Sequence, residues 1–266
     1  WVIVHDYTNS DYKAFLVTAT GVSLTPVVSS AGAPTSGNVV GAMKVSPNGK
    51  KIAYCASNSP FALHVADFNN STGVINNVIN LAGNAGLVPM YGLEFSPDSK
   101  ILYGSKWASS NQVYQWDLCQ ASAAGVVGSA LMVGSGGNTH GSMQLGPNGK
   151  IYICRAASNQ LAVINNPNVL GVGCGYNQNG VTLTSGTSQY GLPTFIQSYL
   201  TVPAGPITAT MVCLTGQFAP PTGGGTVSGC PSSTASPTFT WNFGDPLSGA
   251  SNTSTVTYPT HVFTNP

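Results

Sequence analysis

The pentapeptide SPNGK at residues 46–50 recurs as SPDSK at 96–100 and as GPNGK at 146–150, each copy fifty residues after the last. Ahead of the copies stand GAMKV (41–45), GLEF (92–95) and GSMQL (141–145). Behind them stand KIAYC (51–55), ILYGS (101–105) and IYICR (151–155). Each unit reads as strand, turn, strand. Pro47, Pro97 and Pro147 preset φ at the first turn position, while Asn48, Asp98 and Asn148, with Gly49 and Gly149 in two of the copies, tolerate the left-handed backbone that a tight hairpin needs. Apolar residues alternate or run on both sides, the pattern of strands half or fully buried between layers.

A third strand follows in each unit: ALHVADF (62–68), NQVYQWDL (111–118) and QLAVINN (160–166). In the first unit NNSTG marks a turn and VINNVINL a fourth strand. Four short strands per repeat of about fifty residues define β-propeller blades. The register extends outward. WVIV (1–4) lies fifty residues before KIAY, and Gly191 in GLPTFIQSY lies fifty after Gly141. The expected organisation is repeat units near 1–40, 41–90, 91–140 and 141–190, with a closing strand at 191–199. That strand closes either a four-bladed ring or a larger one. The chain opens without Met inside an apolar run, WVIVH, which reads as an interior segment of a longer polypeptide and favours the larger ring.

Past residue 200 the register stops. TVPAGP (201–206) reads as a linker, APPTGGGTVSG (219–229) as a loop, and 207–266 as a second, incomplete β domain. The aromatic strand FTWNFG, a polar loop and a PTHVF strand fit half of a β-sandwich.

Composition agrees with an all-β chain. Of 266 residues 32 are Gly and 18 Pro, and only 6% are charged, against roughly a quarter in an average domain. The 42% hydrophobic content is enough for real cores. The net charge of +1, with Arg155 the only arginine, excludes an electrostatic footprint for nucleic acid. The apolar stretch ASAAGVVGSALMVGSGG (121–137) is too interrupted to span a membrane. The six cysteines form no CxxC pair. Cys213 and Cys230, close in sequence and in the same region, are the expected disulfide. Cys55 and Cys154, in β-like runs, are expected as buried thiols.

WNFGDP (241–246) followed by YPTHVF (258–263) resembles the PKD pattern of an immunoglobulin-like module, with Pro246 in place of a Gly and Phe263 in place of a Tyr. The residues carrying it are Trp241, Phe243, Gly244, Asp245 and His261. Together with WVIVHDY, GAMKVSPNGKKIA, YGLEFSPDSKILY, LGPNGKIYI, INNPNVLG and YGLPTFIQSY, the whole chain resembles the propeller-plus-PKD surface proteins of Bacteroidota associated with gliding motility and type IX secretion. The resemblance implies an extracellular or surface-anchored protein, usually without an enzymatic role.

The search for chemistry finds no HExxH, GxSxG, P-loop or GxGxxG context. His5 and Asp6 are adjacent and point to opposite faces of a strand, which is poor geometry for a dyad. His64 and His140 lie isolated. His261 is expected to satisfy nearby backbone groups, and Asp245 to organise its adjacent turn. Asp67 and Asp117 recur fifty apart, and bonding to amides two residues on explains them more cheaply than catalysis does. No catalytic residue, metal ligand or cofactor is therefore expected. Trp107 and Tyr176, on loops, are the candidates for stacking on a sugar. The leading expectation is a non-enzymatic surface protein, with the propeller as a binding or display platform and the PKD module as a spacer. Its partner would be a surface glycan, a protein or another copy of itself. The alternatives are a fibre or surface-layer subunit, and a propeller hydrolase or oxidoreductase whose site lies in further blades.

Overall fold

The computed structural model describes residues 1–32, 34, 40–58, 61–83, 87, 89–107, 111–194, 208–219, 230, 240–256 and 258–265. The chain is all-β and divides into two compact units, Trp1–Thr201 with Ser228–Cys230, and Val202–Val227 with Pro231–Pro266.

The first unit consists of four antiparallel sheets. The first joins β1 (Val2–His5), β2 (Asp11–Phe15) and β5 (Val27–Ser30), with a small hairpin of β3 (Val17–Thr18) and β4 (Gly21–Val22) between the last two. The second is the meander β6 (Gly41–Val45), β7 (Lys51–Ala56), β8 (Ala62–Phe68) and β9 (Ile75–Asn80). The third repeats it with β10 (Met90–Phe95), β11 (Ile101–Lys106), β12 (Gln112–Asp117) and β13 (Leu131–Ser135). The fourth does so with β14 (His140–Leu145), β15 (Ile151–Arg155), β16 (Gln160–Ile164) and β17 (Tyr176–Thr182). The first strands β6, β10 and β14 pack against one another. This is the arrangement of propeller blades, whose inner strands line the axis.

The turns follow from their residues. In the first copy Gly49 N–H donates to Ser46 O (2.8 Å), and Ser46 Oγ meets both Asn48 Oδ1 (2.7 Å) and Lys51 N (2.9 Å). The second copy repeats this with Ser96, Asp98 and Ile101. The residue after Asn48, Asp98 and Asn148 has positive φ in all three, at 69°, 61° and 74°. Two of these are glycines, and the third, Ser99, is an L-residue held in the left-handed region.

A separate apolar core fills each gap between neighbouring sheets. Tyr12, Ile52, Tyr54 and Phe68 lie between the first and second. Leu63, Leu93, Phe95 and Trp116 lie between the second and third, and Tyr103, Met143, Leu145 and Ile153 between the third and fourth. Strand β11 serves two cores by alternation, Leu102 to one side and Ile101 and Tyr103 to the other. That is why its sequence is a continuous apolar run rather than an alternating one.

A hydrogen-bond clamp repeats between blades. Cys55 Sγ accepts from Ala42 N (3.3 Å) and donates to Tyr91 O (3.3 Å) on the next inner strand. Fifty residues on, Ser105 Oγ accepts from Gly92 N (3.0 Å) and donates to Gly141 O (2.6 Å). A Cβ on Gly92 would stand 2.4 Å from Gly141 O, so only glycine allows this approach.

The third blade and its surroundings hold one addition to the expected strands and one correction. The stretch at 121–137 contains a short helix, α1 (Ala123–Gly128), capped by Ser122 Oγ accepting from Gly125 N (3.1 Å), before β13 begins. The disulfide joins Cys119 to Cys230, and Cys213 is a free, exposed thiol. Closeness in sequence misled the pairing, because the fold returns Cys230 to the first unit beside Cys119. The expected closing strand at 191–199 is not seen as strand over 191–194, and its remainder lies outside the described residues, as does the expected linker at 201–206.

The second unit contains a three-stranded sheet of β18 (Thr208–Val212), β19 (Thr215–Ala219) and β22 (Thr260–Val262), and a two-stranded ladder of β20 (Trp241–Asn242) and β21 (Thr253–Ser254). The His261 ring stacks on Phe243 at 4.4 Å and meets Phe263 edge-on at 4.6 Å, with Phe218 tilted against Phe243 at 5.1 Å.

Candidate functional site

The inner strands β6, β10 and β14 each place one polar side chain at the same register: Lys44, Glu94 and Gln144. Glu94 is fully buried, on the face of β10 opposite Leu93 and Phe95, which enter the apolar core. Its Oε1 accepts from Phe95 N (2.9 Å), and its Oε2 accepts from Leu145 N (2.9 Å) and from Lys44 Nζ (3.1 Å). Lys44 Nζ donates its second bond to Gln144 Oε1 (2.9 Å), while Gln144 Nε2 donates to Leu145 O (3.1 Å). Three blades thus contribute to one charged cluster. An ammonium carries three donors, and two of them are used inside it. Among the acidic and basic side chains Glu94 is the most deeply buried, and Lys44, at 16% side-chain exposure, is its counter-charge. The sequence carries a signal for this trio. GAMKV, YGLEF and GSMQL hold Lys, Glu and Gln at one register of the repeat, inside strands that are largely apolar. A search for catalytic motifs passes over it.

Toward the starts of the same strands lies a group of aromatic rings. Tyr91 stacks on Trp107 at 4.6 Å and 21°, and Trp107 lies 4.8 Å from Tyr190. Tyr91 sits where the β10–β11 register shifts between Met90 and Gly92. A bulge of this kind turns a side chain out of the regular alternation. Trp107 therefore lies in an aromatic cluster, whereas Tyr176 does not stand on a loop. Tyr176 opens β17, its ring packs close to Gly134, and its hydroxyl bonds His140 Nε2 (2.8 Å). Tyr176 is thus a packing residue, and burial pushes its phenol up to about 12.

The histidines are less isolated than their sequence positions suggest. His5 Nδ1 bonds Asp6 O (2.8 Å) rather than a carboxylate, and its ring stacks on Tyr54 at 4.8 Å. His64 is buried against Tyr54, and desolvation pushes it down to about 4. Burial, with the Arg155 guanidinium adding to it, also pushes His140 down to about 4. Arg155 is itself buried and is held by amide oxygens, among them Asn179 Oδ1 (2.7 Å), Asn138 Oδ1 (2.9 Å) and Gln178 O (3.0 Å). His64, His140 and Arg155 are buried between strands, while His5 is half-buried.

The recurring aspartates part company. Asp117 bonds Cys119 N (2.9 Å), two residues on. Asp67 departs from that role: it pairs with Lys51 (2.7 Å) and Asn77 (2.9 Å), and Asn69 takes the turn amide of Ser71 (3.0 Å). In the second unit the Asp245 carboxylate accepts from Thr264 Oγ1 (2.6 Å), Thr264 N (2.9 Å) and His261 Nε2 (3.1 Å). The Thr264 bonds lead in holding this carboxyl below its usual range. Its adjacent turn is closed by its backbone instead, Ser248 N donating to Asp245 O (3.0 Å). His261 accordingly bonds a carboxylate, not the backbone groups expected. No group of three or more metal-ligating side chains occurs among the described residues, and no described helix is long and apolar enough to cross a membrane.

No protein-family model and no curated protein matches the chain. Solved structures similar to it include a candidate 6-phosphogluconolactonase from Bacteroides uniformis (17% identity, TM-score 0.46, 68% of this chain and 51% of that one). They also include a periplasmic gluconolactonase from Pseudomonas aeruginosa (11%, 0.41, 79% and 56%) and the dihydro-heme d1 dehydrogenase NirN (11%, 0.45, 90% and 46%). The chain spans about half the length of the first of these. At such identities the likeness concerns fold and assigns no substrate. The expectation of a non-enzymatic display platform is corrected: structures named as lactonases and a dehydrogenase stand among the similar ones beside a TolB and a WD40 domain, so this fold does not single out a non-enzymatic role.

Proposed function

We propose that the four-sheet unit belongs to a propeller enzyme of the hydrolase class, working on a small polar substrate from its axial side. The observation that carries this reading is the Lys44–Glu94–Gln144 trio. Both Glu94 oxygens are occupied by donors, so its task is to hold the Lys44 side chain in place rather than to take a proton. A fixed ammonium with one N–H to spare stabilises an oxygen that gathers negative charge, as an ester or lactone carbonyl does when water attacks it. In a site shielded from water such a donor contributes roughly 10²–10³ in rate. The setting we propose is outside the cytosol, which the Cys119–Cys230 disulfide supports. We also propose that the second unit is a PKD-type module, supported by the gathering of Phe243, Asp245 and His261 around one another.

The test is a panel of sugar lactones and aryl esters offered to the purified intact chain, followed by proton release at constant pH. Turnover of at least one member is expected, falling more than a hundredfold in Lys44→Met and less in Lys44→Arg. A silent wild-type protein, or a Lys44→Met variant of equal activity, overturns the proposal.

A further inference from the structure

We infer that Tyr91, Trp107 and Tyr190 form a stacking subsite for a sugar ring, which makes the substrate a sugar derivative of at least two ring units. The inference rests on the axial reading of Lys44 given above. Several large aromatic rings of the first unit lie inside the blade cores: Tyr12, Phe95, Tyr103 and Trp116 are at most 1% exposed. This trio is different. Tyr190 is 41% exposed, and Tyr91 and Trp107 are half-buried.

The rings are fixed by the backbone they stand on. Trp107 N donates to Pro89 O (2.9 Å), Tyr190 O accepts from Ser142 N (2.8 Å), and Tyr91 O accepts from Cys55 Sγ (3.3 Å). Three stretches distant in sequence are thereby tied to neighbouring inner strands, and little ordering remains to be done when a ligand arrives. The chemistry suits one kind of occupant. A sugar ring has a C–H face that lies on an aromatic plane, and a rim of hydroxyls that meets phenol groups able both to donate and to accept. The chain's near-neutral charge gives no comparable grip on a polyanion. Tyr91 and Glu94 share strand β10 three residues apart, about 10 Å at the usual rise. A ring on the aromatic trio with its reacting bond at Lys44 therefore requires a second unit between them.

The experiment measures binding, so it does not depend on turnover. Cellobiose, maltose and lactose are titrated calorimetrically into the intact chain at concentrations up to tens of millimolar, with adenosine as a flat aromatic control. Saturable binding of at least one disaccharide is expected, weakened roughly tenfold or more in Trp107→Ala and in Tyr190→Ala. Tyr190→Ala, at an exposed position, should leave the melting temperature unchanged and so separates lost binding from lost folding. Absence of disaccharide binding, binding indifferent to both substitutions, or binding of adenosine alone overturns the inference. If disaccharide binds at the rim while every lactone and ester is left intact, the hydrolase reading fails and the stacking subsite stands. If Lys44→Met abolishes turnover while Trp107→Ala leaves KM unchanged, the opposite holds.

Discussion

Replacing Glu94 by glutamine should destabilise the first unit by about 3–4 kcal/mol. The carboxylate receives donors from Phe95 N, Leu145 N and Lys44 Nζ, among others, with no exposure to water. A glutamine has one oxygen and one NH₂. Whichever way it turns, the NH₂ faces a buried backbone N–H, and an unsatisfied buried donor costs about 1–3 kcal/mol. Removing one partner of a buried ion pair costs about 3–5 kcal/mol when the other is fully enclosed. Here the second figure is reduced, because Lys44 keeps 16% exposure and its bond to Gln144. With a urea m-value of about 3 kcal/mol/M, the midpoint should fall by roughly 1 M. The fluorescence of Trp116, buried in the core between the second and third sheets, reports it. The double variant Lys44→Met with Glu94→Leu should recover much of the loss, since apolar replacement of a whole buried pair is often neutral. A midpoint shift below about 0.3 M in Glu94→Gln, or a double variant as weak as the single, would refute this account.

Acidification should weaken the first unit. His64 and His140 are pushed down to about 4 by burial, so the unfolded chain binds their protons more readily; stability present above pH 6.5 is lost between 6.5 and 4, by roughly 3 kcal/mol per histidine, and His64→Phe should flatten the melting profile across that window. Ser105→Ala leaves Gly92 N and Gly141 O without their shared partner and should cost about 2–4 kcal/mol in denaturant melts, whereas Ser105→Cys, which copies Cys55, should cost less. Breaking the Cys119–Cys230 link, which spans 111 residues, should cost about 4–5 kcal/mol on the loop-entropy estimate, whereas Cys213→Ser should leave melting unchanged.

The blade architecture is legible because it repeats. The Pro-Asn/Asp turns at 47–48, 97–98 and 147–148 fix a register, and from it the first three strands of the second to fourth sheets, with the fourth strand of the second, fall within a residue or two of where they stand, while β13 and β17 are not placed by it. Tertiary closure is not legible in the same way. Cys119 and Cys230 are neighbours only because the chain leaves the first unit and comes back, and no local pattern encodes that return. The helix at 123–128 was hidden in an Ala- and Gly-rich run with no periodicity. Lys44, Glu94 and Gln144 are individually ordinary. Only stacking the three repeats on one another reveals a polar position that the core should have rejected, and only the fold shows that the three side chains meet. Tyr176 failed as a stacking candidate because a flanking turn made a strand residue look like part of a loop.

The return of Cys230 to the first unit has a consequence for proteolysis. The peptide bonds between Cys119 and Cys230 all lie inside a covalent ring, so a single cut anywhere in that span, including the Gly-rich run at 223–225, opens the ring without freeing a fragment. A protein nicked there would keep its full mass and migrate as one species until a reductant separated it into two.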